Sequence, residues 1–359
     1  KSYGNCTMNK LMLVPSELDK DQYGGLNFKS ASDIPSKRIQ WYWSGMIAEG
    51  KFHVFAGDAG IGKTQILCNI TATVSRGGIF SGEKEPCIQG KVLYLTGEDG
   101  ASDTIIPRLK ACGATLDNVT VLDPLKADGK LFSLSENMDS VADMVSDDGN
   151  YKLFIIDPVT AFCDDKFDNN SVTSVRSLAT KLSAFAEDTG VAVIGLTHLT
   201  KDDQRKAVNR ILGSGAWVHA SRVVLGAVAV DGQYYFGKWK ANITDCTPVY
   251  TYRMVERPLD DLGYVHYIDF DDYPMLGRSL DEFQSVSTGR GATGASVRDI
   301  LERLLQDGDW HLKEELVDAV GRQVGCSIKT IERVAFDEMS VDRQNTNETP
   351  TRVLWRLPS

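Results

Sequence analysis

Gly57-Asp58-Ala59-Gly60-Ile61-Gly62-Lys63-Thr64 constrains this chain more than any other stretch. The spacing G-x-x-x-x-G-K-T lies between a short apolar run, Phe52 to Ala56, and a segment from Gln65 to Val74 that reads as a helix. A strand that turns through glycines into a helix curls backbone N–H groups around one spot and aims the positive helix end at it, which suits phosphate oxygens. In this reading Gly57 to Gly62 form the cradle and Gln65 opens the helix. Lys63 reaches the β- and γ-phosphates, and Thr64 ligates Mg²⁺. The expected ligands are ATP and Mg²⁺.

Such a loop belongs to an α/β fold, and the rest of the chain agrees. Strand candidates are Phe52 to Ala56, Lys91 to Thr96, Val119 to Leu122, Lys152 to Asp157, Val191 to Thr197, Arg222 to Val230 and Tyr234 to Lys240. Helix candidates at Thr64 to Arg76, Thr104 to Cys112, Asn137 to Ser146 and Val172 to Thr189 separate the earlier ones. Alternation of this kind predicts a parallel sheet flanked by helices, and the later, helix-free strands predict antiparallel strands at one end. Residues 1–30 read as a polar tail, 31–284 as the α/β body and 285–295, rich in Gly, Ser and Thr, as a flexible linker. In 296–359 an amphipathic helix (Ser296 to Gln306), the stretch His311 to Val320, a helix from Ser327 to Met339 and a hairpin (Val341 to Arg343 with Thr351 to Leu357) suggest a small winged helix-turn-helix domain.

Composition narrows the partners. The 359 residues carry a formal charge of −10, so no global basic field draws the chain to nucleic acid, and any such contact needs local basic loops. Seven cysteines without a C-x-x-C pair or a nearby His cluster suggest neither zinc nor a disulfide framework and fit a reducing, cytoplasmic setting. No apolar run approaches the roughly 20 residues of a membrane helix, and no signal pattern opens the chain. The chain begins at Lys1, which leaves room for a longer parent protein.

Several side chains are placed for chemistry. Lys152-Leu-Phe-Ile-Ile-Asp157 ends an apolar strand in an acid, at the strand end where open α/β sheets bind ligands, so Asp157 is the candidate that holds Mg²⁺. Glu98, with Asp99 as its support, ends another strand and is the candidate base for the attacking water. His198 follows a third strand and is placed to sense the γ-phosphate and inform the loop after it. That loop, Lys201 to Arg210 followed by Gly213-Ser214-Gly215, is the main local cluster of positive charge and suits the phosphates of a DNA strand.

Taken in order, Trp41, Gly57 to Thr64, Thr96-Gly-Glu98-Asp99, Arg108-Leu109, Ile156-Asp157-Pro158, Asp168-Asn169-Asn170, Thr197-His198 and Gly213-Ser-Gly-Ala216 resemble the RecA-like P-loop ATPases. Within these, the resemblance is to the hexameric replicative helicases of plasmids and phages typified by plasmid RepA. It implies a homo-oligomeric ring, expected to be hexameric, with ATP between subunits, Arg108 at the nucleotide and single-stranded DNA in the channel. It also implies a cation from the neighbouring subunit, for which Arg222 is the first candidate and Lys240 the second. An ATP-regulated DNA-binding switch and a recombinase-like ATPase without unwinding activity remain open. Residues 296–359 hold nine Lys and Arg against twelve Asp and Glu, so docking of a primase or initiator competes with duplex binding there.

Overall fold

The computed structural model describes residues 30–126, 128–164, 167–168, 171–200, 207–211, 215–230, 232–260, 262–287, 294–324, 328–346 and 351–357. Two compact units divide the chain, residues 1–40 and 41–359. In the first, the described residues hold one 3₁₀ turn over Ala31–Asp33. The polar tail read at 1–30 lies outside the described residues except for Ser30.

The second unit opens with a short antiparallel pair, β1 (Trp41–Trp43) and β2 (Ile47–Ala48). Strands and helices then alternate as β3 (Phe52–Gly57), α1 (Lys63–Arg76), β4 (Lys91–Thr96), α2 (Ile106–Ala111), β5 (Val119–Leu122), α3 (Met138–Asp148), β6 (Tyr151–Asp157), α4 (Val172–Thr189) and β7 (Ala192–Leu196). Two short helices, α5 (Ala207–Arg210) and α6 (Ala216–Ala220), precede β8 (Val223–Val230), β9 (Gln233–Ala241), β10 (Tyr250–Leu259), β11 (Gly263–Phe270) and α7 (Leu280–Ser287). The chain continues with α8 (Gly294–Leu304), β12 (His311–Leu312), α9 (Lys313–Val324), α10 (Ile328–Arg333), β13 (Asp342–Asn345) and β14 (Val353–Arg356).

Nine strands form one sheet in the order β11-β10-β9-β8-β3-β7-β6-β4-β5. From β8 to β5 the neighbours are parallel, and β9, β10 and β11 extend the sheet antiparallel, as the strand pattern predicts. Because strand side chains alternate between faces, β6 feeds two cores. Leu153 and Ile155 pack with Ile66, Ile70 and Leu109 of α1 and α2, whereas Phe154 and Ile156 pack with Val141 of α3 and Val175 and Leu182 of α4. Both faces are covered, which is why the central strands read as continuous apolar runs. Ser171 caps α4, its Oγ accepting from Ser174 N at 3.3 Å, and Gly190 ends that helix with φ 76°.

The antiparallel end has its own anchor. Trp43 is fully buried, donates Nε1–H to Tyr250 Oη and Ser81 O at 3.2 Å each, and stacks on Phe80 with ring centroids 4.8 Å apart. On the other face, in the core that holds Trp239 and Leu280, close packing leaves Gly226 no room for a side chain: a Cβ there would lie 2.6 Å from the Trp239 ring and 2.8 Å from Leu280 Cδ2.

Several sequence expectations need correction. The helix expected over Thr104 to Cys112 is a π-helical turn at Ala101–Ile105 followed by α2, and Pro107, which has no N–H, sits where the regular helix begins. The sequence pattern does not separate β10, β11 and α7 as elements; the turn between Leu259 and Gly263, closed by Leu262 N donating to Leu259 O at 3.0 Å, makes β10 and β11 a hairpin. Helix α7 runs to Ser287 and α8 begins at Gly294, so the stretch read as a linker is helical at both ends, and 288–293 lie outside the described residues. The stretch His311 to Val320 resolves into a strand, His311–Leu312, and the start of α9, and the helix expected to run to Met339 ends at Arg333 and continues as a π-helical turn, Val334–Glu338. β12, β14 and β13 form an antiparallel sheet in that order over a small core that includes Val297, Leu301, Leu316, Ile331 and Trp355.

His53 is fully buried in β3. Its Nε2 accepts from Ala48 N at 3.0 Å, so Nδ1 carries the proton and donates to Val193 O at 3.1 Å. Burial pushes its pKa from the ordinary 6.5 down to about 4. The stabilisation from this neutral ring is complete above the unfolded value and is withdrawn as pH falls toward the folded one, a loss of about 3 kcal/mol. Urea unfolding of wild type and His53→Gln should therefore show a stability difference in favour of wild type that shrinks between pH 7 and pH 4.5. A pH-independent difference would exclude His53 as the titrating group. Gly226→Ala should lower the unfolding free energy by about 1–3 kcal/mol through overpacking, and an unchanged denaturation midpoint would contradict the close approach of Trp239.

Candidate active site

β3, β7 and β6 lie side by side and parallel, so Gly57, Thr197 and Asp157 leave one edge of the sheet together. β4 pairs with β6 and delivers Glu98 and Asp99 to the same edge. Between β3 and α1 the chain turns with Gly60 at φ 78° and Gly62 at φ 77°, left-handed values that any side chain would strain. Helix α1 begins at Lys63, so the unpaired N–H groups of its first turn lie beside the loop and suit an anion.

Within the loop, the Lys63 side chain is nearly buried and donates from Nζ to Asp58 O at 2.7 Å. Burial lowers its pKa, while Asp58, Asp157 and Glu98 act in the opposite direction. Phosphate oxygens would compete with that carbonyl for the ammonium. Asp157 is 5% exposed; burial pushes its carboxyl up to about 6, and hydrogen bonds from Thr64 and Tyr94 oppose the rise. Tyr94 Oη donates to Asp157 Oδ2 at 3.3 Å. The Thr64 hydroxyl and the Asp157 carboxylate are hard oxygen ligands that suit Mg²⁺, and a cation there would favour the ionised carboxylate.

The two acids after β4 are not equivalent. Asp99 is paired with Arg108 at 2.7 Å, whereas Glu98 is more exposed and lies 3.6 Å from His198 Nε2. Lys63, Thr64, Gln65, Glu98, Arg108, Asp157 and His198 thus line one cleft of about 470 Å³ with the phosphate loop. This arrangement offers a cradle for a phosphate chain, an oxygen site for a divalent cation and a carboxylate beside a histidine for activating water.

Arg222 and Lys240 are elsewhere. Arg222 precedes β8 at the level of Phe52, at the opposite edge of the sheet from the loop, with its N–H donating to Phe52 O at 3.1 Å. Lys240 lies nearby; its Nζ donates to Ser221 O at 3.3 Å and also to Val218 O, and burial, followed by Arg222, lowers its pKa.

Sequence reading misses three contributors to the cleft and misassigns a fourth. Tyr94 reads only as part of a strand, although it holds Asp157. Tyr252, from β10, donates from Oη to Ile61 O at 2.7 Å, and Met254 lines the cleft from the same strand. Arg210, grouped by sequence with the basic loop, is 5% exposed and pairs with Asp58 at 2.8 Å, so it belongs to the phosphate loop's surroundings. Lys201 to Lys206, Asn169, Asn170, Gly213 and Ser214 lie outside the described residues. Among the described residues no cluster of His, Cys, Asp and Glu would hold a metal by itself, and no helix is long and apolar enough to cross a membrane.

The chain is 28% identical over 165 residues to the DNA repair protein RadA of Brucella abortus (strain 2308), covering 45% of this chain and 31% of that protein. It is 26% identical over 160 residues to RadA of Escherichia coli (strain K12), covering 44% and 29% respectively. The chain therefore spans about a third of the length of these curated relatives. Among solved structures, an ATPase domain aligns at 13% identity with a TM-score of 0.44, over 57% of this chain and 81% of that one. Residues 22–204 match the AAA domain family AAA_25. Because that match takes in just over half of the chain, including β3, β4, β6 and β7, the chain belongs to this AAA domain family, and its core is a P-loop ATPase domain.

Proposed function

We propose that this chain is one subunit of a ring that hydrolyses ATP between neighbouring copies and uses the energy to move on single-stranded DNA as a helicase. The observation that carries this reading is the division of charged groups between two edges of one sheet. The cleft holds Lys63 and the acids, but its nearby arginines are engaged, Arg108 with Asp99 and Arg210 with Asp58. An exposed Arg222 with Lys240 beside it sits five strand residues away by register, about 16 Å, too far to serve its own cleft. A head-to-tail contact would bring that edge of one copy to the cleft of the next. A cation supplied in this way is worth about 10³ to 10⁵ in rate.

The roles follow from position. Lys63 leaves Asp58 O for the β- and γ-phosphates, and the N–H groups from Gly60 to Gln65 cradle them. Mg²⁺, held by Thr64 and Asp157, would neutralise charge between those phosphates. Glu98, not committed to an arginine as Asp99 is, orients and deprotonates the attacking water. His198, beside Glu98, registers the γ-phosphate and precedes the segment with Lys201, Arg205 and Lys206, the local basic charge that suits a DNA backbone. The DNA repair role named for the RadA relatives is in keeping with a DNA partner and gives a second reading, a recombinase-like ATPase that does not unwind.

In the C-terminal part, the order helix α8, strand β12, helices α9 and α10, then strands β13 and β14 fits a winged helix. Its basic face is smaller than the sequence suggests. Arg356 pairs with Asp342 at 3.3 Å and lies over Trp310, and Arg343 lies over Phe336. This favours docking of a protein partner, such as a primase or initiator, over duplex reading.

Unwinding of a forked duplex should require ATP and be abolished by Lys63→Ala. ATP hydrolysis indifferent to single-stranded DNA, with no unwinding, would sink the motor and leave the recombinase-like or switch readings. Subunit mixing tests the shared site: Arg222→Ala and Lys63→Ala are each expected to be inactive, and their mixture should regain part of the ATPase rate. Mixed rings that assemble without recovery would remove Arg222 from the neighbour's site.

A further inference from the structure

We propose that the β10/β11 hairpin forms the shelf for the nucleobase and that Met254 is the side chain touching the base; this rests on the nucleotide-binding reading of the cleft. Two ends of the cleft differ in chemistry. Glu98, Asp157 and His198 crowd the end where water attack and cation binding take place, so the γ-phosphate belongs there. The nucleoside then leaves the loop on the other side, past Gly62 and Gln65. At that side the wall is the hairpin. A Cβ on Gly62 would lie 2.7 Å from Gln65 Oε1, 3.2 Å from Ile268 Cδ1 and 3.6 Å from Met254 Cε, which places all three side chains around this one glycine.

Met254 and Ile268 are cross-strand partners; Ile268 is fully buried and backs Met254, which presents the apolar surface that lines the cleft. That surface is fastened to the phosphate loop and its helix by two hydrogen bonds, Tyr252 Oη to Ile61 O at 2.7 Å and Asn69 Nδ2 to Ile268 O at 3.1 Å. The shelf is therefore fixed relative to the phosphates, and the ribose spans the gap. Methionine suits the position because its polarizable thioether lies well against an aromatic ring and adapts to its outline. It recognises the face of a base rather than its hydrogen-bonding edge, so the site takes a nucleoside triphosphate by stacking area, with a purine as the best fit.

The test separates base from phosphate. Calorimetric titration of the full chain with Mg·ATP and with Mg·tripolyphosphate, which has no base, should show Met254→Ala weakening ATP by up to about tenfold with tripolyphosphate unchanged. Met254→Leu, apolar and similar in volume, should bring ATP binding back to near wild type. Equal losses for both ligands, or none for ATP, would overturn the shelf. If Met254→Ala does not fold, wild type decides alone: ribose 5′-triphosphate must bind more weakly than ATP, and equal affinity overturns the proposal. Wild type that binds neither ATP nor tripolyphosphate would instead overturn the nucleotide reading on which the shelf rests.

Discussion

Parallel pairing of β3, β7 and β6 is the constraint on which the rest of the molecule depends. Phe55 is level with Leu196, and Gly195 with Ile156, so three strands end together and release the phosphate loop, His198 and Asp157 at one edge. With β7 between them, the loop strand and the Asp157 strand are two strand spacings apart, about 10 Å, enough for a phosphate group and a cation. A slip of one residue in any of these pairings would turn the apolar set of that strand to the wrong core. Burial on both faces thus defends the geometry of the cleft.

Charge pairing sorts the groups that the sheet brings together. Asp99 takes Arg108 and Asp58 takes Arg210, which leaves Lys63 as the cation held by a neutral backbone oxygen and Glu98 as the acid beside a histidine. The Arg210 pairing also joins the phosphate loop to the chain that returns from the basic segment: Arg210 Nε donates to Thr200 O at 3.2 Å, and Leu199 bridges to Ile211.

The antiparallel extension gives the cleft its second wall. Without β10 and β11, the first turn of α1 and the loop would face solvent. With them, Tyr252 braces Ile61 and Met254 stands over Gly62. Trp43 in turn ties β1 to Tyr250 and Phe80, so the chain just before the first core strand stabilises the hairpin that closes the nucleotide site.

Local pattern made much of this legible. The loop, its flanking strand and helix, the acids that follow β4 and end β6, and the exit of antiparallel strands all follow from short-range spacing and apolar runs, because each is set by backbone conformation or by burial on both faces. The β10/β11 hairpin was harder to see, since its half-exposed strands mix Arg, Glu and Pro with aromatics and its contacts lie some two hundred residues from the loop it braces. Separation in sequence likewise hides Tyr252 and Met254, and the Arg210 to Asp58 pair spans 152 residues. By itself the sequence determined that the chain builds a phosphate cradle on a parallel sheet. Only the tertiary structure decided which acids and cations are already paired, that the β10/β11 hairpin walls the cleft beside Gly62, and that Arg222 lies at the far edge of the sheet from the phosphate loop, because those outcomes depend on which distant residues the strand register brings together.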